Sequence, residues 1–134
     1  MPANASAALD LFRKAAEAGH VPLMVPLAEA YMMQGTLVGG RRAIPWLEKA
    51  TAAGDAEAWN DIGFLHAKGA YGPRSKIEYE MAMKAYRMAA DGGSCVAYMN
   101  IGGLFFNGDG VPQDKHQAQN WFAKAESCGT LGIK

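Results

Sequence analysis

The chain has 134 residues, half of them hydrophobic, with 13 basic residues balancing 13 acidic ones and 16 glycines. That is one domain of ordinary globular composition, and its scattered, balanced charge argues against a nucleic-acid partner. The stretch from Val21 to Ala30 is interrupted by Pro22, Pro26 and Glu29 and falls short of the roughly 20 apolar residues a membrane span needs, so no membrane association is expected. Met1 to Lys14 shows no basic region followed by an apolar run, which makes the cytoplasm the expected compartment, periplasmic or secreted only if a leader was removed.

Self-similarity organises the chain from its first helix onward. Gly19 follows Ala15-Ala16-Glu17-Ala18, and the same small-residue ending recurs at Gly54, Gly93 and Gly129, at intervals of 35, 39 and 36 residues. Eleven positions before each glycine stands an alanine (Ala8, Ala43, Ala82, Ala118), and four before it another (Ala15, Ala50, Ala89, Ala125). Leu11, Trp46, Ala85 and Trp121 follow the first alanine by three. These positions share one helical stripe, so each block predicts an amphipathic helix, B, closed by a C-terminal glycine.

Eight residues after the first three glycines come Leu27, Ile62 and Ile101, each followed by a tiny residue, Ala28, Gly63 and Gly102. Met24, Trp59 and Tyr98 precede the aliphatic residue by three, and Tyr31, His66 and Phe105 follow it by four, which predicts a second helix, A, with this stripe packed on helix B. Glycine inside a helix costs about 1 kcal/mol against alanine, so Gly63 and Gly102 imply a close approach of two helices. Helix A ends near Gly35, Gly69 and Gly108; Asp109 to Asp114 reads as a turn in which Asp114 caps the next helix. Pro22 and Pro45 fit first turns of helices beginning just before them, while Pro26 calls for a kink or a late helix start. The longer second interval places an insertion of three residues in 70–76, a loop expected to protrude.

The third unit, running Ala97-Tyr98-Met99-Asn100-Ile101-Gly102-Gly103-Leu104-Phe105-Phe106-Asn107-Gly108-Asp109-Gly110-Val111-Pro112, then Gln117-Ala118, Trp121-Phe122 and Lys124-Ala125, resembles a Sel-one-like repeat of the tetratricopeptide-like branch. The first two units depart from the pattern: Gln34 replaces a glycine, His66 replaces the aromatic, and Gly72-Pro73 belongs to an altered turn. The resemblance implies an all-α fold, a right-handed α/α superhelix (solenoid) of about seven antiparallel helices. It divides one repeat domain into a lone helix B at 7–19, repeats at 20–54, 55–93 and 94–129, and a tail at 130–134.

The resemblance further implies a non-catalytic protein–protein interaction module, an adaptor or scaffold without cofactor, binding a partner protein or peptide through a concave groove lined by the A helices. The positions facing away from helix B are then Val25, Glu29, Met32 and Met33 on the first A helix, Asn60, Phe64, Ala67 and Lys68 on the second, and Met99, Gly103, Phe106 and Asn107 on the third. Met and Phe adapt to irregular apolar partners, and the polar members supply orientation. The alternative use of the same surface is packing or self-association, with a homodimer covering exposed solenoid ends. The alternative function is an immunity or inhibitor protein that blocks a bacterial toxin or effector enzyme, in which Tyr71, Arg74 and Lys76 of the inserted loop enter the target.

Other chemistry finds little support. His20, His66 and His116 are dispersed, and His66 reads as a core residue whose nitrogens need a partner each. Asn107-Gly108-Asp109-Gly110 lacks the acidic ligands of a calcium loop and reads as a turn with glycines at positive φ, so no metal is expected. Gly39-Gly40 and Gly92-Gly93 are not followed by the lysine of a phosphate cradle and read as punctuation between units. Arg41-Arg42 and Arg74-x-Lys76 read as basic spots in loops. Cys95 and Cys128 fall at neighbouring ends of the third hairpin; a disulfide is conceivable, but in a chain without a leader free thiols are the expectation.

Overall fold

The computed structural model describes residues 3–71 and 76–131. Their regular structure is helical: α1 (Ala3–Glu17), α2 (Met24–Met32), α3 (Thr36–Ala52), α4 (Ala56–Ala67), α5 (Tyr79–Asp91), α6 (Cys95–Asn107) and α7 (Lys115–Leu131), with a 3₁₀ turn at Val21–Leu23 before α2. No described helix is long and apolar enough to cross a membrane. Helices α2, α4 and α6 are the A helices, and each pairs with the B helix that follows it, giving the hairpins α2–α3, α4–α5 and α6–α7 behind the lone α1.

The alanine stripe does what its spacing predicts in α3, α5 and the start of α7, but not in α1, where Ala8 and Leu11 are exposed and Leu9, Phe12 and Ala16 turn to the core instead. Ala43, Ala50, Ala82, Ala89 and Ala118 are fully buried, letting B helices lie close to A helices whose Leu27, Ala28 and Ile101 are equally enclosed. The tiny residue of helix A is the closest point. A Cβ on Gly63 would meet the Tyr86 ring at 2.6 Å, and one on Gly102 would meet the Phe122 ring at 2.5 Å. The two hairpins thus share one joint, an aromatic ring of the B helix set against a glycine of the A helix. Two apolar clusters, one under α1–α4 and one under α5–α7, meet at Trp59, which packs against both.

Helix ends follow local chemistry. Gly19, Gly54 and Gly93 take φ of 96°, 91° and 98°, the left-handed region glycine enters freely. At each, the next residue donates its N–H back to the carbonyl of Ala15, Ala50 or Ala89. Asp55 and Ser94 cap α4 and α6 by accepting the N–H of Glu57 and Ala97. Asp114 accepts the Gln117 N–H at 3.0 Å, as its place before α7 predicts. Gly108 and Gly110 both sit at φ 74°, as the turn reading requires. Pro26 produces the late start: the 3₁₀ turn precedes α2, which opens at Met24 and leaves Pro26 in the first turn.

Five further expectations are corrected. Pro45 is not in a first turn; α3 starts at Thr36 and carries Pro45 inside it. Gly39-Gly40 is therefore helical rather than punctuation. A Cβ on Gly39 would collide with the Tyr31 carbonyl, and one on Gly40 would press on Leu65 and Ala70, so the pair lets α3 begin flush against α2 and the end of α4. That packing offsets the roughly 3 kcal/mol an interior proline costs. Arg41-Arg42 consequently lies exposed on α3 and not in a loop. Gly129 does not end α7, which runs on to Leu131, whereas after Gly19, Gly54 and Gly93 the next residue's N–H closes back onto Ala15, Ala50 and Ala89. Cys95 and Cys128 form a disulfide, with Cα atoms 5.6 Å apart, because the hairpin brings the start of α6 beside the last turns of α7.

Candidate functional site

Six of the outward positions read from the sequence, Phe64, Ala67, Lys68, Met99, Gly103 and Asn107, gather around one cavity. Phe64 and Lys68 of α4 and Met99 and Asn107 of α6 line a space of about 250 Å³ that is floored by Tyr86 of α5 and Leu104, with Tyr79, Asn100 and Asp109 at its border. It lies where α4 and α6 meet α5. Met99 is 57% exposed, and the Lys68 ammonium stands over the Phe64 ring at 5.5 Å, a cation held on an apolar surface.

The remaining candidates divide. Asn60 is buried rather than offered to a ligand: its Oδ1 accepts from Asn100 Nδ2 at 2.7 Å, tying α4 to α6. Phe106 is 45% exposed but leans on Phe122, centroids 6.5 Å apart, with Lys115 over its ring at 5.3 Å. On α2, Glu29 is exposed, Met32 is half-buried against the first apolar cluster, and Met33 is 88% exposed at the helix end.

Of the loop residues, Tyr71 is a strut. Its hydroxyl donates to Glu48 Oε2 of α3 at 2.6 Å and its ring stacks on His66 at 4.2 Å; burial first, then the Glu48 carboxylate, pushes the phenol up to about 12. His66 is buried and donates from Nδ1 to Glu78 Oε1 at 3.1 Å, while the Glu78 N–H bonds to the His66 carbonyl at 2.9 Å. The histidine that replaces the core aromatic therefore finds its partner on the far side of the inserted loop. Lys76 is exposed, and Arg74 lies outside the described residues.

A second concavity, about 530 Å³, runs along α7 past Gln117, Asn120, Trp121, Lys124 and Ser127. Trp121 stacks with Tyr98 at 5.9 Å and carries Lys124 and Arg87 over its ring at 4.4 and 5.6 Å. Among the described residues, no group of three or more His, Cys, Asp or Glu is placed to hold a metal ion.

The same architecture appears in known proteins. The Sel1 repeat pattern matches residues 1–20, 27–55, 56–94 and 95–129. The chain belongs to the Sel1 repeat family. It is similar to a Sel1 repeat protein from Oxalobacter formigenes, with a TM-score of 0.76 and 27% identity over 93% of this chain and 50% of that one. It is also similar to a protective antigen of uropathogenic Escherichia coli with an SLR fold, with a TM-score of 0.72 and 31% identity over 91% and 26% of the two chains. Among curated proteins it is 27% identical over 122 residues to chitin synthase regulatory factor 3 of Schizosaccharomyces pombe. The second such relative, at 29% over 120 residues, is chitin synthase regulator SKT5 of Saccharomyces cerevisiae. The chain spans only 13% and 17% of those two regulators. Sel1 repeats are protein-interaction scaffolds and are generally not catalytic.

The Sel1 register also exposes a residue that sequence reasoning passed over. Asp61 precedes Ile62 as Asn100 precedes Ile101, and it is 9% exposed with its Oδ2 lacking any hydrogen-bond partner. Burial first, then Glu29 of α2, then Glu57 and Asp55, push its carboxyl up to about 9. Burial, then the Asp61 charge, pushes the Tyr86 phenol up to about 12. A buried carboxyl one residue before the aliphatic–tiny pair can be picked out in the sequence once the three A helices are aligned on those pairs.

Proposed function

We propose that this chain is a non-catalytic regulatory adaptor that holds a partner protein segment along the outer face of its A helices. The observation that carries the reading is the cavity between α4 and α6, where Phe64, Met99 and Tyr86 present apolar surface and Lys68 and Asn107 stand at its border. An apolar floor with a few polar groups at the edge is what a docked helix or extended segment needs, the polar groups fixing its register. The two chitin synthase regulators among its relatives support a role in controlling another protein. The Cys95–Cys128 bond, of a kind that persists in oxidising compartments, supports a site of action outside the reducing cytoplasm.

The test compares the wild-type chain with Phe64→Lys and with Leu11→Lys, a control on α1, where Leu11 is exposed. A partner captured by the wild type is identified, purified and rebound. Loss of binding in Phe64→Lys with retention in Leu11→Lys sustains the groove; equal binding by all three removes it.

A further inference from the structure

One stripe of α6 carries Asn100, Gly103 and Asn107 at helical spacing, and all three border the cavity between α4 and α6. In the same register α2 carries Pro26, Glu29 and Met33, and α4 carries Asp61, Phe64 and Lys68, so among the A helices the set of two amides around a glycine belongs to α6. Packing within the chain does not account for Gly103. An interior helix glycine costs about fivefold in the folding equilibrium against alanine. Gly63 and Gly102 are held to glycine by the Tyr86 and Phe122 rings, but a Cβ on Gly103 would meet nothing within 4 Å. The helix thus gives up stability for a gap that opens on the cavity, where Phe64, at the same register on α4, supplies an opposing apolar wall. The amides on either side of the gap are available. Asn107 is exposed, and among the described residues its carboxamide has no hydrogen-bond partner. Asn100 commits one N–H to Asn60 and keeps its second N–H and its Oδ1.

We propose that this cavity binds an extended stretch of a partner's main chain, which passes along α6 over Gly103, is hydrogen-bonded by the Asn100 and Asn107 carboxamides, and places one apolar side chain between Phe64 and Met99. This rests on the groove reading above and decides between the helix and the extended segment that reading allows. A carboxamide presents a donor and an acceptor together, which matches the N–H and C=O of a peptide group. A helix bonds those groups within itself, whereas an extended segment leaves them free for a neighbour. Seven residues of helix separate the two amides by about 10 Å along the axis, a distance that about three extended residues span. Glycine between them lets a foreign backbone come nearer to α6 than any side chain would permit. Successive side chains of an extended segment point to opposite faces, so one enters the cavity and meets Tyr86 and Leu104 while its two neighbours face solvent. The partner's signature is therefore a single large apolar residue in an extended segment, with little demand on the residues beside it.

The probes are blocked pentapeptides, acetyl-Ser-Val-X-Val-Ser-amide with Leu, Phe or Gly at the centre, and an alanine-rich helical peptide carrying the same apolar residue. Each is titrated into the full chain while the side-chain amide signals of Asn100 and Asn107 are followed by NMR. The better of the Leu and Phe pentapeptides is expected to shift both signals and to bind at least about tenfold more tightly than the Gly pentapeptide. Methylating its backbone nitrogens one at a time is expected to weaken binding at least about fivefold at one position or more, and that penalty shrinks in Asn100→Ala or Asn107→Ala, as partners in one hydrogen bond require. Gly103→Ala separates recognition from folding. It is expected to raise the folding equilibrium constant about fivefold in urea titrations and to weaken the best pentapeptide at least about fivefold. Undiminished binding by Gly103→Ala, a loss of stability in that variant, indifference to every backbone methyl, equal binding of the helical peptide, or unmoved Asn100 and Asn107 signals overturns the proposal. The two readings fail separately. A native partner lost from Phe64→Lys but held undiminished by Gly103→Ala keeps the groove and removes the main-chain site. A pentapeptide that moves Asn100 and Asn107 in a protein whose partner ignores Phe64→Lys does the reverse.

Discussion

The second and third hairpins carry the same joint and differ in what surrounds it. In α4–α5 the Tyr86 ring covers Gly63, beside a carboxyl that has no donor; in α6–α7 the Phe122 ring covers Gly102, beside an amide pair, and a disulfide ties the hairpin ends. A shared backbone thus holds two polar environments that diverged by single residues. The third hairpin ties its ends and pairs its polar groups, whereas the second leaves one buried carboxyl oxygen without a partner.

The largest effect should come from removing the feature only the third hairpin has. Cys95→Ser/Cys128→Ser opens a loop with 33 residues of sequence separation and is expected to cost about 3 kcal/mol, read by denaturant unfolding with and without reductant. A chain whose midpoint ignores both the substitution and the reductant would contradict the pairing. Next is the joint both hairpins share. Gly63→Ala and Gly102→Ala each put a methyl within 2.6 Å of a ring and should destabilise by about 1–3 kcal/mol each, with similar losses marking a common geometry.

The polar difference sharpens the comparison further. The folded Asp61 carboxyl lies at about 9 against an ordinary 3.8, so the folded state holds its proton more tightly than the unfolded state. Its contribution to stability is fully present below pH 3.8 and is lost progressively as pH rises through about 9. Asp61→Asn should flatten that decline and raise stability at pH 8.5 by about 2 kcal/mol, measured as a difference in urea midpoints at pH 5.5 and 8.5. Asn100→Ala in the satisfied seam should show the smallest effect, a loss of about 1 kcal/mol at either pH.

Much of this was legible beforehand because repetition supplies its own control. A glycine alone says little, but Gly19, Gly54 and Gly93, each closing an alanine stripe, locate helix ends, and Gly63 and Gly102 locate the joint before any coordinate is known. What stayed hidden was set by contacts across the chain. Gly39, Gly40 and Pro45 all argue locally against a helix, and only the backbone of α2 and the end of α4 lying against the glycines makes one there. The state of Cys95 and Cys128 depends on redox surroundings as well as on spacing, so proximity alone left it open. Asp61 escaped because it belongs neither to the stripe that packs on helix B nor to the outward positions two before and two, five and six after the aliphatic; its unpaired oxygen is a matter of tertiary burial.

The struts on either side of the inserted loop bear on how this scaffold can be altered. Tyr71 is fastened to Glu48 and His66 before the insertion, and Glu78 is fastened to His66 by backbone and side chain after it. Chain length between those anchors is thereby uncoupled from the spacing of the helices. Residues added between these two anchors should therefore leave both neighbouring repeats in place, since the contacts that hold the helices lie on Tyr71, His66 and Glu78 themselves.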